Sequence, residues 1–321
     1  MTTLGIGLYG HNGHQLAGDM ALAGAQIVAA CDGGAMPTEM RHHATLIDLL
    51  TDPAVHLVSI CAPQRDTQVD AIRLALRAGK HVLAEKPLVM RHDELDELMA
   101  LAHQHGCHLF DMAGIADEAP YAAIPPLLAQ GVLGAIGQIV VRKSYPYASW
   151  RPQDEAVDGG LIMQSGIHAI RLIEHCVGQQ ITHVSALSCQ VGNPVRTGGL
   201  HMAATIQAQL AAGGIASVVL NYYNQRGAQH WGDDELRIYG ADGMIVTHAD
   251  GSAQLVTATA TAPIVCPAQP RYIQRVVDCL RGMAPRLRPV AYDLHPTHVV
   301  IAARASAAQD GEWMAVPDFL V

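Results

Sequence analysis

The N-terminal third of this 321-residue chain alternates short apolar runs with stretches of helical spacing. The apolar runs predict strands over residues 4–9, 27–31, 56–62, 80–84 and 107–112. Helical spacing predicts helices over 69–78 and 93–105, and Leu16, Met20 and Leu22 indicate a further helix between the first two strands. Because strands that alternate with helices form βαβ units, we expect an α/β fold with a doubly wound parallel sheet.

From about residue 138 the pattern changes to long strands joined by hairpins. Strand patterns cover 138–145, 182–190, 201–211, 214–223, 236–239 and 244–248. Glycine-bearing turns at 212–214 and 241–243 predict antiparallel hairpins. Two helices, over 270–281 and 296–308, follow the strands. This part of the chain therefore predicts an α+β domain with a large, mostly antiparallel open sheet.

The change of architecture places a domain boundary near residues 116–120, which divides the chain into residues 1–117 and 118–321. The long strands between His201 and Tyr223 offer an apolar sheet face that a monomer would leave in contact with water. We therefore expect a homodimer or a homotetramer.

Composition and charge exclude several classes of protein. The net charge of −9 and the absence of clustered Lys and Arg argue against a nucleic-acid partner. The apolar stretches are too short to span a bilayer and the N-terminus lacks a signal pattern, so we expect a cytoplasmic protein without a membrane partner. The seven cysteines form no C-x-x-C pair, which suits reduced thiols. The 18 histidines include no metal-ligand spacing with a matching second half, so we expect no metal site.

The tripeptide Glu85-Lys86-Pro87 places a lysine where the predicted strand over 80–84 ends. Pro87 stops the strand and fixes the direction in which Lys86 leaves it. Ligands of open α/β sheets bind beyond the carboxyl ends of the strands, so Lys86 can meet a ligand. The alternative interpretation is a surface lysine at a strand end.

A glycine-bearing turn follows the first predicted strand. Gly10 fills the first place of a G-x-G-x-x-G pattern, Asn12 and Gln15 stand at the second and third, and Gly13 adds a flexible position. Such turns bind the pyrophosphate of a dinucleotide, and Asp32 at the end of the second strand could accept hydrogen bonds from the adenine ribose. No arginine follows Asp32, which favours NAD over NADP. The alternative is an ordinary turn of a doubly wound domain.

A third cluster of polar residues lies in the stretch from Asp158 to His168, which continues as a helical pattern. On a helix, Gln164 and His168 share one face, a turn apart. A histidine there is either a structural residue or, if Lys86 is within reach, a proton donor and acceptor.

Together these motifs resemble the Gfo/Idh/MocA oxidoreductases. The resemblance rests on the turn at Gly10, the strand end at Cys61-Ala62-Pro63, the run from Ala78 to Pro87, and the pair Gly159-Gly160 that leads to His168. The segments Gly131 to Gly134 and Tyr239 to Gly243 also fit, so the resemblance covers essentially the whole chain.

The resemblance implies an N-terminal Rossmann-type domain that binds NAD or NADP and a C-terminal domain for substrate binding and oligomerisation. It implies hydride transfer to or from a sugar, cyclitol or related polyol. Lys86 matches the catalytic lysine of the family and His168 its proton carrier. The residues implied to contact the cofactor are Gly10, Asn12, Gly13, Asp32, Ala62, Pro63, Glu85 and Lys86.

The chain departs from the family pattern at three positions. Gln164 and Arg171 stand where the family typically has aspartates, and Thr67 stands where a histidine is common. A neutral amide at 164 cannot accept a proton but can orient Lys86 and His168. Two function classes remain open: an active dehydrogenase or reductase, in which Trp150 and Arg151 join Gln164 and His168 in binding substrate, or an NAD(H)-binding sensor or redox-neutral protein.

Overall fold

The computed structural model describes residues 3–16, 21–31 and 40–319. Its first sheet contains six parallel strands: β1 (Leu4–Gly10), β2 (Ala25–Cys31), β3 (Arg41–His42), β4 (Leu57–Cys61), β5 (His81–Ala84) and β6 (Leu109–Asp111). Their order, β3-β2-β1-β4-β5-β6, is that of a Rossmann-type sheet. The predicted doubly wound parallel sheet is confirmed.

Between its strands, the described residues form helices α1 (Leu46–Thr51), α2 (Gln68–Arg77) and α3 (His92–Gln104). Strand β4 is buried along its whole length, as expected for a central parallel strand with an apolar sequence. Because the strands run parallel, the residues that follow Gly10, Cys61 and Ala84 emerge at one edge of the sheet. That edge carries the candidate site.

The predicted helix between β1 and β2 is wrong for the residues that the structure describes. Residues 11–16 and 21–24 form turns and irregular chain, while Met20 lies outside the described residues. The Gln15 side chain folds back and donates from Nε2 to two main-chain oxygens at the end of β1, at 3.1 and 2.9 Å. These bonds hold the chain across the strand end, where the helix would have to begin.

The second sheet contains nine strands: β7 (Ile136–Ser144), β8 (Ile181–Cys189), β9 (Ala203–Leu210), β10 (Ile215–Asn221), β11 (Asp233–Gly240), β12 (Gly243–Thr247), β13 (Ala253–Thr257), β14 (Thr261–Pro263) and β15 (Met314–Ala315). All described pairs are antiparallel except β7 with β10. The predicted hairpins at 212–214 and 241–243 join β9 to β10 and β11 to β12. The mostly antiparallel C-terminal sheet is confirmed.

The second half of the chain also forms four helices: α4 (Ile124–Ala129), α5 (Gly160–Arg171), α6 (Tyr272–Leu280) and α7 (Val290–Ala307). Helix α5 continues into one wider, π-helical turn over Leu172–Cys176. Helices α5 and α7 cover one face of the second sheet, where Ile206, Leu220 and Val300 share a core. The opposite face exposes apolar side chains such as Leu187 and Ile215.

Helix α7 begins six residues before the predicted start at 296, and Pro296 lies inside it. Proline has no N–H, so the carbonyl of Tyr292, four residues earlier, receives no helical hydrogen bond from position 296. The structure supplies another partner, because His175 Nε2 lies 3.1 Å from that oxygen. This tertiary contact is what lets the helix extend through a proline.

Helix α6 packs on the first sheet although it follows the second in sequence. Tyr272, Ile273 and Val277 share a core cluster with Ile6 and Leu8 of β1. The apolar face of β1 is therefore covered by a C-terminal segment. The division into residues 1–117 and 118–321 stays a proposal, with its boundary between β6 and β7. Among the described residues, no helix has the length and apolarity needed to cross a membrane.

A buried ionic cluster joins the two halves. Arg171 of α5 is fully buried and donates to Asp111 Oδ1 of β6 at 2.6 Å and to Asp293 Oδ1 of α7 at 3.4 Å. Arg286 donates to the other oxygen of Asp293 at 2.8 Å. Position 171, where the family pattern has an aspartate, is thus occupied by an arginine with carboxylates around it. The cluster fixes α5 against β6.

We expect Arg171→Met to lower the free energy of unfolding by about 3–5 kcal/mol, because the buried carboxylates of Asp111 and Asp293 would lose their partner. The matched control is Arg73→Met, which breaks the exposed Arg73–Glu97 pair and should cost less than about 1 kcal/mol. Denaturant unfolding of both variants measures the difference. Equal losses in the two variants would contradict a structural role for the cluster.

Candidate active site

Lys86 lies just beyond the carboxyl end of β5, at the contact between the two sheets. It is 3% exposed, and its Nζ donates to the main-chain oxygen of Gln164 on α5 at 3.1 Å. Gln68 at the start of α2 fixes the segment, because its Nε2 donates to the main-chain oxygens of Glu85 at 2.7 Å and Pro87 at 3.3 Å. The sequence-predicted lysine is therefore a buried residue held from both sides, and not a surface lysine.

Glu85 is fully buried and faces the turn after β1. Its carboxylate accepts a hydrogen bond from the His14 main-chain N at 2.8 Å and lies 3.0 Å from His14 Nδ1. Nζ of Lys86 is 3.7 Å from Glu85 Oε1. Burial by itself raises the pKa of Glu85, but the hydrogen bond from His14 and the charges of Lys86 and Arg65 outweigh it and lower the pKa. Glu85 therefore stays ionised beside Lys86.

The two glycines of the turn are required by close contacts. A Cβ on Gly10 would lie 2.1 Å from the Cys61 oxygen, and a Cβ on Gly13 would lie 2.6 Å from Glu85 Cγ. Both residues have positive φ angles, +70° and +129°. Any side chain at either position would clash or strain the turn. The glycines thus let the chain pass directly over the strand ends.

Asn12 fastens this turn to its surroundings. Its Nδ2 donates to the oxygens of Pro63 at 2.9 Å and Val157 at 3.1 Å, and its own carbonyl accepts from Arg65 NH2 at 2.8 Å. Val157 belongs to the C-terminal half, so Asn12 and Lys86 connect the two halves at neighbouring points. Ala62 is buried at the same edge. Asp32, the expected ribose contact, lies outside the described residues.

Helix α5 carries Gln164 and His168, as predicted, but the Gln164 side chain is engaged elsewhere than expected. Its Nε2 donates to Asp158 Oδ2 at 3.0 Å, and its Oε1 accepts from Arg151 NH1 at 3.1 Å. Its contact with Lys86 is made through the main-chain oxygen. The amide therefore links a buried aspartate to a buried arginine.

Arg151 and Asp158 form the wall beside this amide. The Arg151 guanidinium stacks 4.1 Å from the centre of the Tyr222 ring and 5.2 Å from that of the exposed Trp150. Burial raises the pKa of Asp158, although a hydrogen bond from the Gly160 N–H and the charges of Arg151 and Lys86 oppose the rise. Sequence reasoning named Trp150 and Arg151, which line the first cavity, but it did not name Asp158, which lines the same cavity. Its position just before Gly159-Gly160 was the available signal.

His168 stands in the wall of the site with Nδ1 buried and without a hydrogen-bond partner among the described residues. Burial lowers its pKa well below the ordinary value, and the ammonium groups of Lys86 and Lys143 lower it further. Burial also lowers the pKa of Lys86, with the charge of Arg65 adding to the effect, while Glu85 opposes it. His168 is therefore a neutral imidazole at neutral pH.

Two adjoining cavities meet at His168. The first, of about 470 Å³, is lined by the turn residues Asn12 and Gly13 and by Lys86, Arg151 and Gln164 among others. The second, of about 370 Å³, lies on the side of the second sheet. The two cavities share His14, Tyr145 and His168 in their walls. Such a space, lined by convergent polar groups at the carboxyl edge of a parallel sheet, can bind a dinucleotide and a small polar molecule together.

Lys143 lies near the end of β7, Tyr145 follows that strand, and Asp234 lies at the start of β11. Nothing local in the sequence marks strands that are adjacent only in the folded sheet. Across residues 3–16, 21–31 and 40–319, no group of three or more His, Cys, Asp or Glu side chains could hold a metal ion.

Two family models match the chain. The model described as the oxidoreductase family with an NAD-binding Rossmann fold matches residues 5–111, and the Gfo/Idh/MocA C-terminal domain model matches residues 121–246. The chain is similar to an uncharacterised oxidoreductase of Bacillus subtilis, with 25% identity over 70% of this chain and 64% of that protein. It is also similar to dTDP-3,4-didehydro-2,6-dideoxy-alpha-D-glucose 3-reductase of Actinomadura kijaniata, with 31% identity over 48% of each protein. The matched region thus spans about half to two thirds of these relatives' lengths.

Solved structures share the fold over the whole chain. An oxidoreductase structure from Thermotoga maritima has a TM-score of 0.84 at 20% identity, covering 98% of this chain and all of that one. A levoglucosan dehydrogenase in complex with NADH and L-sorbose has a TM-score of 0.80 at 16% identity, covering 99% of this chain and all of that one. At such identities these structures establish the fold alone.

We expect His168 to remain a neutral imidazole as the pH falls below 6.5, the ordinary value for histidine, because burial and two ammonium groups disfavour its charged form. Nitrogen NMR of the imidazole rings measures this, with His168→Gln to assign the signal. Lys86→Met should raise the pKa of His168 toward the ordinary value, whereas the control Lys80→Met should leave it unchanged. Titration of His168 at the ordinary value in the unaltered protein would contradict the site electrostatics.

Proposed function

Because the chain belongs to the Gfo/Idh/MocA oxidoreductase family, we propose that it transfers hydride between NAD(P) and a sugar, cyclitol or related polyol or ketone. One observation carries the proposal. Lys86 is buried at the carboxyl edge of the Rossmann-type sheet, in the wall of a cavity that also contains the glycine turn and His168. An ammonium group, an imidazole and a dinucleotide turn around one space are the parts that reversible alcohol oxidation requires.

The residues of the N-terminal edge fit a dinucleotide. The N-terminal half is an NAD-binding Rossmann fold. Gly13 packs against Glu85 and has no side chain, so the backbone of the turn is open at this position. We assign cofactor contacts to Gly10, Asn12, Gly13, Asp32, Ala62, Pro63, Glu85 and Lys86. The nicotinamide, when bound, supplies the group that gives or accepts the hydride. NAD is favoured over NADP because no arginine follows Asp32.

The roles of the protein groups follow from their charges. Lys86, with Glu85 beside it, offers a cation to the negative charge that develops on the substrate oxygen. His168, a neutral imidazole in the wall of both cavities, can accept the hydroxyl proton during oxidation. Gln164 positions the Lys86 ammonium through its main-chain oxygen and holds Arg151 through its amide.

The substrate would occupy the meeting point of the two cavities. Trp150 and Arg151 stand at the first cavity and are the proposed substrate contacts there, together with Gln164 and His168. The second cavity has room for the rest of a small polyol, and its wall contains charged groups such as Lys143, Asp234 and Arg271. The combination favours a hydroxylated, polar substrate over an apolar one.

A second candidate function, an NAD(H)-binding sensor or redox-neutral protein, is favoured by Gln164. Its amide replaces a carboxylate of the family pattern, so the site has one less proton acceptor. An aspartate at 164 would face the buried carboxylate of Asp158, which accepts a hydrogen bond from the present amide at 3.0 Å. Gln164→Asp therefore carries an electrostatic cost that the sequence alone did not indicate.

We propose a homodimer or homotetramer formed through the exposed face of the second sheet. Leu187 is 58% exposed and Ile215 51% exposed on that face, which supports an interface there. We also propose a cytoplasmic location, supported by seven cysteines that form no C-x-x-C pair. Light scattering at micromolar concentration should give a multiple of the monomer mass of 34.1 kDa, and the monomer mass itself would contradict the assembly.

The direct test of the function is a screen of polyols and ketosugars for changes in nicotinamide absorbance. We expect Lys86→Ala to lower turnover on the order of a hundredfold or more while NADH still binds in calorimetry, because Lys86 would act mainly in the transition state. Lys80→Ala is the matched control, since the Lys80 ammonium donates only to main-chain oxygens of Asp52 and Val55. It should cost stability but leave turnover unchanged.

Two results would contradict the proposal. Absence of saturable binding of both NAD(H) and NADP(H) at millimolar concentration would contradict the assigned cofactor. Turnover in Lys86→Ala equal to that of the unaltered protein would contradict the catalytic role of Lys86. Tight NADH binding without redox activity toward any compound of the screen would favour the sensor function.

A further inference from the structure

Lys143 is a nearly completely buried lysine, 1% exposed, that the mechanism above does not use. It lies near the end of β7, and its Nζ is 2.5 Å from Asp234 Oδ2 on the neighbouring strand β11. The other Asp234 oxygen, Oδ1, is buried and has no hydrogen-bond partner among the described residues. Burying the Lys143 ammonium is costly, and the ion pair with the partly exposed Asp234 that compensates this cost stands in the wall of the second cavity.

Tyr145 is the residue that this pair faces. Alternate residues of an extended chain point to the same side, so Lys143 and Tyr145 lie together, with Lys143 Nζ 5.5 Å from the centre of the Tyr145 ring. The Tyr145 backbone is fixed, because its N–H donates to the Asn221 oxygen at 3.0 Å and its carbonyl accepts from the Asn224 N–H at 3.2 Å. The ring is half-buried and lines both cavities, as His168 does.

The charges around Tyr145 suit proton transfer. Burial by itself lowers the pKa of the Lys143 ammonium, but Tyr145 and Asp234 outweigh burial and raise this pKa. Burial raises the pKa of Tyr145, and Lys143 opposes the rise. The titratable and charged groups that line the two cavities with Tyr145 include Lys143 and Asp234 from the sheet, His168 from α5 and His14 from the turn. Arg271 and Glu118 line the second cavity, and Lys86, Arg151 and Asp158 line the first.

Reduction of a ketone needs a group that carries a transferable proton at neutral pH. His168 meets this need poorly, because burial and the neighbouring ammonium groups lower its pKa and leave little imidazolium at neutral pH to donate a proton. A tyrosine hydroxyl carries its proton at neutral pH. The site therefore has two different proton carriers at the meeting point of its cavities.

We propose that Tyr145 is a second catalytic residue, which donates a proton to the substrate oxygen in reduction, with Lys143 and Asp234 as positioning residues. The inference rests on the proposed function. In reduction the carbonyl carbon accepts the hydride from the reduced cofactor, the C–O π pair moves to oxygen, and this oxygen takes the Tyr145 hydroxyl proton. The phenolate left behind lies beside the Lys143 ammonium and regains a proton from water in the cavity. Oxidation follows the same steps in reverse, so Tyr145 gives the proton of the substrate hydroxyl a second route beside the one through His168.

The test compares Tyr145→Phe with the matched control Tyr147→Phe, whose tyrosine lies two residues further along and lines neither cavity. We expect Tyr145→Phe to lower kcat for reduction on the order of a hundredfold with NADH affinity unchanged, and the control to react normally. Lys143→Met should lower kcat and move the basic limb of the reduction profile to higher pH, because the phenolate loses its cation. Lys143→Arg should restore part of the rate.

The outcomes separate this inference from the proposed function. Normal turnover in Tyr145→Phe, with Lys86→Ala inactive, contradicts the role of Tyr145 alone. Normal turnover in both variants contradicts the proposed function as well. A second measurement needs no substrate and can be made even if Tyr145→Phe does not fold. In carbon NMR of the protein with ring-labelled tyrosine, one tyrosine resonance should titrate at higher pH in Lys143→Met than in the unaltered protein. An unchanged set of tyrosine titrations would overturn the coupling on which the proposal depends.

Discussion

The hydrogen bond from Lys86 Nζ to the main-chain oxygen of Gln164 is the contact on which the rest of the site depends. It joins the carboxyl edge of the parallel sheet to helix α5, which covers the second sheet. A buried ammonium is tolerated only with partners, and here they are this oxygen and the Glu85 carboxylate, 3.7 Å away. Arg171, one turn beyond His168, secures the same helix to β6 through Asp111.

Glu85 extends this constraint to the turn after β1. Its carboxylate holds the His14 main-chain N–H, and the contact leaves no room for a side chain at Gly13. The same carboxylate therefore fixes the turn that would meet a dinucleotide and the ammonium that would meet the substrate. His168 loses its charge because burial and the neighbouring cations act in the same direction. The same buried charged groups therefore fix the positions of the site residues and set their protonation states.

Sequence reasoning reached the features that local patterns encode. Most strands of the two sheets, the hairpins at 212–214 and 241–243, Lys86 at a strand end and His168 on a helix follow from periodicity and turn chemistry. Strands β3, β13, β14 and β15 were not predicted. The errors arose where distant residues override local preference. In the described residues after β1, Gln15 makes side-chain bonds to main-chain oxygens where the helix was predicted to begin, and His175 bonds the carbonyl that Pro296 leaves free. The grouping of Lys143, Tyr145 and Asp234 was not predicted, because only the folded sheet brings these residues together.

The central claim is that this cavity carries out direct hydride transfer with Lys86 in contact with the reacting oxygen. The most direct measurement is mass spectrometry of the alcohol formed from a ketone of the screen and NADH deuterated at the transferring position. The account predicts deuterium on the carbinol carbon of the product. It also predicts that Lys86→Ala forms this labelled product on the order of a hundredfold more slowly. A product that contains only solvent hydrogen, or equal labelling rates in the two proteins, would contradict it.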